Sequence, residues 1–118
     1  MSNENNRVAV ITGAAGGVGQ STVKKFVEHG YTVIGTDIRL PEGLFEHPSV
    51  SYQTCDVTSE SDWMALAKST VADHGKLDVL VNNAAILMTY TIETSSLDDF
   101  KQMMEVNSTS VFLGMKYM

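Results

Sequence analysis

The chain has 118 residues, which at a soft prior of about 150 residues per domain makes one domain or part of one. Hydrophobic residues make up 43% and charged residues 19%, the usage of an ordinary folded core, which excludes intrinsic disorder and a membrane protein. Eight Lys and Arg against fourteen Asp and Glu leave a net charge of −6; such a surface repels phosphate backbones, so no nucleic-acid partner is expected.

Residues 1–6 are read as a polar tail and residues 7–118 as the folded part. The tail has no basic region ahead of an apolar stretch, and no run of about 18 apolar residues follows, so neither export nor a membrane span is expected. Val8-Ala9-Val10-Ile11 is short and rich in β-branched residues, and predicts a buried first strand. A glycine-rich turn then opens a helix with Val18, Thr22 and Phe26 on one side and Val23 and Val27 beside them, stopped by Gly30. Tyr31–Thr36 is the second predicted strand and delivers Asp37 at its carboxyl end. Residues 40–48, with both prolines and Gly43, predict a loop.

Val50–Thr54 alternates as a third strand. Thr58 or Ser59 caps a helix whose Trp63, Leu66, Ala67, Thr70 and Val71 share a face, and Gly75 stops it. Leu77–Val81 is the fourth strand. Ser96 caps the last helix, with Asp98 and Asp99 in its first turn, where the dipole favours carboxylates. Phe100, Met103, Met104, Asn107, Val111, Met115 and Met118 then recur at helical spacing without a stop signal. Strands alternating with helices predict an α/β fold of the Rossmann-type doubly wound kind, with a parallel sheet of about four strands, incomplete at its carboxyl end.

Cys55 is the one cysteine; alone it makes no internal disulfide, which points to a reducing cytoplasm. His29, His47 and His74 have neither HExxH spacing nor paired cysteines, so they read as surface or loop residues and no metal is expected.

Gly13-Ala14-Ala15-Gly16-Gly17-Val18-Gly19 lies between a predicted strand and a predicted helix, the context a dinucleotide-binding turn requires. There the backbone approaches a pyrophosphate closely, and free N–H groups at the helix start meet its charge. A glycine cluster is otherwise a plain tight turn. Asp37 stands where the adenosine ribose lies in such folds; its carboxylate accepts from both ribose hydroxyls and repels a 2′-phosphate, which favours NAD over NADP. Its other reading is a turn-capping acid. Arg39, two positions on, is either a solvated loop arginine or a cation within reach of a phosphate.

From Arg7 to the last residue the chain resembles the short-chain dehydrogenases/reductases. Thr12–Gly19 matches that family's TGxxxGxG, and Asn82-Asn83-Ala84-Ala85 matches NNAG with Ala85 in place of the final glycine. The resemblance implies cofactor contacts from Gly13, Ala15, Gly16, Gly17, Val18 and Gly19, and from Asp37 and Ile38. Cys55-Asp56-Val57 looks like the family's third-strand motif, which implies that Asp56 meets the adenine amino group and the Val57 backbone borders the ring. Asn83, Ala84 and Ala85 would border the adenosine and ribose. Gly13, Gly16 and Gly19 also satisfy the GxxGxxG of the longer, epimerase-like branch, but Asn82–Ala85 and Asn107 favour the shorter one.

On the resemblance Asn107 belongs to the catalytic tetrad, holding a water that relays protons toward a lysine; its plainer reading is a helix-to-loop hydrogen bond. The implied reaction interconverts a secondary alcohol and a ketone, small-molecule substrates, by hydride transfer. It needs a YxxxK pair, which no tyrosine here supplies: position four beyond Tyr31, Tyr52 and Tyr90 holds Gly35, Asp56 and Thr94, and Tyr117 is the next-to-last residue. The catalytic Tyr and Lys are therefore expected beyond residue 118. The expectation is a cofactor-binding half that binds without turning over, with Ala85–Tyr90 as the stretch that can line a substrate pocket. The fourth strand would have an unpaired edge, and Phe100, Val111, Phe112 and Met115 would lack packing partners. A homo-oligomer is expected for the full-length form, and the alternative is a non-catalytic dinucleotide-binding module acting through a partner chain.

Overall fold

A computed structural model of the chain describes residues 6–118, so the tail expected over 1–6 lies, apart from Asn6, outside the described residues. In chain order the elements are β1 (Val8–Thr12), α1 (Gly17–Glu28), β2 (Thr32–Asp37), β3 (Val50–Thr54), α2 (Glu60–His74), β4 (Val79–Val81), α3 (Leu97–Met104), a π-helical turn (Glu105–Thr109) and α4 (Ser110–Tyr117). The four strands are parallel in the order β3-β2-β1-β4. The order reverses beside β1, which leaves a crevice at the carboxyl end of the sheet.

β1 is buried on both faces because helices cover both. Val8 and Val10 face a core with Ile34, Trp63, Leu66 and Leu113, under α2 and α4. Ile11 faces the opposite core with Val23 and Val33, under α1. Ser59 caps α2 by accepting from the Asp62 N–H at 3.2 Å, and Ser96 caps α3 by accepting from the Asp99 N–H at 3.0 Å, each cap being worth about 1 kcal/mol. Thr58, the other candidate, bonds Asp56 instead: its N–H and hydroxyl both donate to Asp56 Oδ1, at 2.9 and 2.7 Å. Gly30 and Gly75 follow α1 and α2 at φ of +83° and +76°, left-handed values that favour glycine.

Four expectations are corrected. β2 runs one residue later than predicted, through Asp37, and β4 begins at Val79 instead of Leu77. Val18 is 72% exposed and Val71 61% exposed, so the inward faces of α1 and α2 are narrower than their spacing implied. The last helix differs most: Ser110, Leu113 and Gly114 are buried while Met104 is exposed, so no single apolar stripe runs its length. Phe100, Phe112 and Met115 are exposed, as expected of residues without packing partners, and Val111 is half-buried. The π turn at Glu105–Thr109 inserts a residue and rotates the face that follows it by roughly 100°, so that Ser110, Leu113 and Gly114 turn inward. Among the described residues β4 pairs with β1 alone, and no helix is long and apolar enough to cross a membrane.

Asp78 joins the start of β4 to β1. Its N–H donates to the Val8 carbonyl at 2.9 Å, and its carboxylate accepts from the Val8 N–H at 2.8 Å and pairs with the Lys76 ammonium at 3.1 Å. The Val8 N–H, aided by Lys76, holds this carboxyl below its ordinary 3.8. A depressed folded-state pKa contributes stability above the unfolded value and loses it as pH falls through the folded one. Urea midpoints of the native chain and of Asp78→Ala should therefore differ at neutral pH and converge under acid. A gap that stays constant on acidification would show that the carboxylate charge contributes nothing.

Candidate functional site

The carboxyl ends of the strands open into a cleft of about 520 Å³, within the roughly 300–1,000 Å³ of small-molecule sites. The glycine turn forms one wall. Gly13 sits at φ +64°, and a Cβ there would lie 2.9 Å from the Ala84 Cα, so the turn presses against the segment after β4. Thr12 secures that junction: its hydroxyl accepts from the Asn83 and Ala84 N–H groups, both at 3.0 Å, and donates to the Val81 carbonyl at 3.3 Å.

α1 starts with no side-chain cap and no acidic residue in its first turn, so its first N–H groups and the positive dipole end face the cleft uncompensated. Beside them Gly17 has open space where a Cβ would stand, and Gly16 has only the Gly13 oxygen at 3.7 Å. At Gly16 and Gly17 the wall is backbone without a Cβ, which leaves room for an anion to approach its N–H groups, while Val18 puts its exposed side chain beside them.

Asp37 adjoins this wall. Its Oδ2 accepts from the Ala15 N–H at 3.0 Å and its Oδ1 from the Ile38 N–H at 2.8 Å. Each oxygen keeps a lone pair for a further donor. Asp56 accepts from Thr58 through its Oδ1, which leaves Oδ2 as an acceptor for another donor. Cys55 also lines the cleft, but burial, with Asp62 and Asp56 nearby, pushes its thiol up to about 12. It stays protonated and unreactive at neutral pH.

The predicted cofactor residues converge: Gly13, Gly16 to Gly19, Asp37, Ile38, Asp56, Val57 and Asn83 to Ala85 all line the cleft. Ala15 does not line it but holds Asp37. Asn107 lies outside the lining, in the middle of the π turn, where its Oδ1 accepts from the Ile86 N–H and its Nδ2 donates to the Ile86 carbonyl, both at 2.8 Å. Asn107 is exposed, and its two bonds to Ile86 are the helix-to-loop hydrogen bonds of its plainer reading. Ile86, from the stretch expected to line a pocket, completes the lining with Gln102 and Val106, which had no signal of their own in the sequence.

The fold is Rossmann-like α/β, a parallel four-stranded sheet with flanking helices and a cleft at its strand ends. The family profile described as short chain dehydrogenase matches residues 7–118, and the chain belongs to that family. It is 39% identical over 115 residues to a mitochondrial borneol dehydrogenase of Lavandula x intermedia, covering 94% of this chain and 44% of that protein. Against a 3-beta-hydroxysteroid dehydrogenase of Comamonas testosteroni the identity is 37% over 112 residues, covering 92% and 44%. The ligand-free aldohexose dehydrogenase of Thermoplasma acidophilum superposes with a TM-score of 0.86 at 29% identity, over 95% of this chain and 42% of that one. The chain thus spans less than half the length of the relatives it matches.

Proposed function

We propose that this chain carries the NAD-binding portion of a short-chain oxidoreductase that interconverts a secondary alcohol and a ketone. The observation that carries the reading is the meeting, in one cleft, of an uncapped, acid-free helix start with a tethered carboxylate. The α1 start receives the pyrophosphate, Asp37 receives both ribose hydroxyls, and Asp56 with the Val57 backbone borders the adenine. A 2′-phosphate would enter beside the Asp37 charge, so NAD is preferred over NADP. Bound there, the nicotinamide would supply the hydride chemistry of the whole protein.

Asn107 keeps the Ile86 peptide fixed at the cleft edge. Two of its amide's hydrogen-bonding positions go to Ile86, and one N–H and one lone pair remain for a water, which supports its place in proton relay. No tyrosine in these 118 residues has a lysine four places on, so the chain by itself binds without turnover. That same fact favours, as a second reading, a binding module working through a partner. The exposed Phe100, Phe112 and Met115 support self-association of the full-length protein, and the single buried Cys55 supports a reducing, cytoplasmic setting.

Asp37→Ala tests the cofactor assignment. The preference for NADH over NADPH, read as the ratio of dissociation constants by calorimetry, should fall about tenfold, the size of one lost charge-assisted bond. An unchanged ratio would remove Asp37 from the ribose site.

A further inference from the structure

The structure assigns Gln20 as the positioning residue for Asp37, acting through the single peptide unit between Ala14 and Ala15. The assignment rests on the NAD-binding reading of the cleft. The Ala15 N–H donates to Asp37 Oδ2 at 3.0 Å, while Gln20 Nε2 donates to the Ala14 carbonyl at 2.9 Å. These two groups are opposite edges of one planar unit, so Asp37 and Gln20 grip the same plane from its two sides. The Ala14 N–H is separately fixed by the Thr36 carbonyl at 2.9 Å. Turning the plane breaks both side-chain bonds at once, and Asp37 would then keep only the Ile38 N–H of the two donors that hold its carboxylate.

Gln20 is itself held by a ring of bonds. Its Nε2 also donates to the Tyr52 hydroxyl at 3.2 Å and its Oε1 accepts from the Phe45 N–H at 2.7 Å, while Tyr52 donates to the Phe45 carbonyl at 2.7 Å. The Tyr52 ring lies where a Cβ of Gly35 would come within 2.7 Å of it, so its position is fixed by packing. The loop after β2, the glycine turn and β3 are thus locked together by one amide.

The bonds separate two roles. Gln20→Met leaves the Phe45 N–H and Tyr52→Phe leaves the Phe45 carbonyl without its partner, so both loosen the loop after β2. Only Gln20→Met also frees the Ala14 carbonyl. In the full chain, with NADH and NADPH as titrants, Gln20→Met should lower the NADH preference about fivefold, the value of one positioned hydrogen bond. Tyr52→Phe should leave the ratio within about twofold, since the bond to Ala14 survives. Where Gln20→Met does not fold, Gln20→Asn, one methylene too short to reach its partners together, is read in the same way.

An unchanged ratio in the Gln20 variant alongside a lowered one in Asp37→Ala would overturn the assignment and leave the cofactor reading intact. Equal losses in the Gln20 and Tyr52 variants would overturn it too, because loop anchoring would explain both. Failure of the unaltered chain to bind either dinucleotide would remove the cofactor reading and this inference with it.

Discussion

Gly19→Ala is expected to abolish measurable NADH binding and to destabilise the chain by about 1–3 kcal/mol, the usual cost of forcing atoms into a packed site. A Cβ at position 19 would stand 2.0 Å from the Gly13 oxygen and 2.7 Å from the Ala14 Cα. Both obstacles are backbone, so no side-chain rotation relieves them. The turn must move, and the plane bearing the Ala15 N–H moves with it. Intrinsic helix propensity favours alanine over glycine by about 1 kcal/mol, which is too little to offset a contact that deep. Gly17→Ala is the matched control, because its Cβ meets nothing within 4 Å. Chemical denaturation of the two variants should show the first well below the native chain and the second at or above it. Equal midpoints would mean that the turn tolerates displacement.

The second large effect is at Trp63. Its side chain is fully buried, and its indole N–H donates to the Val57 carbonyl at 2.8 Å. The ring also lies 3.0 Å from where a Cβ of Gly114 would stand, so α2 and α4 meet on it. Trp63→Ala leaves a large cavity and an unpaired carbonyl, a cost of about 3–5 kcal/mol, against a total stability of about 5–15 kcal/mol for an ordinary domain. The variant is therefore expected to be largely unfolded near body temperature, read as loss of its far-ultraviolet circular dichroism signal. Trp63→Phe keeps most of the apolar contact and loses the hydrogen bond, so it should cost about 1–3 kcal/mol. If Trp63→Ala melts within a few degrees of the native chain, α2 and α4 are not joined through this side chain.

Much of this was legible in the sequence, for reasons particular to each element. Val8–Ile11 reads as a buried parallel strand because only a strand covered on both faces carries so unbroken an apolar run. Ser59 and Ser96 mark helix starts because a short hydroxyl followed by acids matches the unpaired N–H groups of a first turn. The cleft residues were legible because the glycine turn, Asp37, Asp56 and Asn83–Ala85 all sit at strand ends, which a parallel sheet gathers at one edge.

What stayed hidden depends on tertiary contact. Val18 has the spacing of a core residue, and periodicity does not distinguish a face turned to the sheet from one turned to a cleft. The π turn is associated with a side chain that reaches across 21 residues, Asn107 to Ile86, and no local pattern encodes it. An uninterrupted helical stripe was therefore expected where the helix changes face. Gln20 and Thr12 are ordinary polar residues until their partners are known, and both act on backbone groups that a sequence does not place.

The most direct test of the account is calorimetric titration of the full chain with NADH and with NADPH. The account predicts saturable binding of both, with NADH at least about tenfold tighter, the preference expected from one charge-assisted contact. NADPH binding as tightly as NADH, or neither binding, would contradict it.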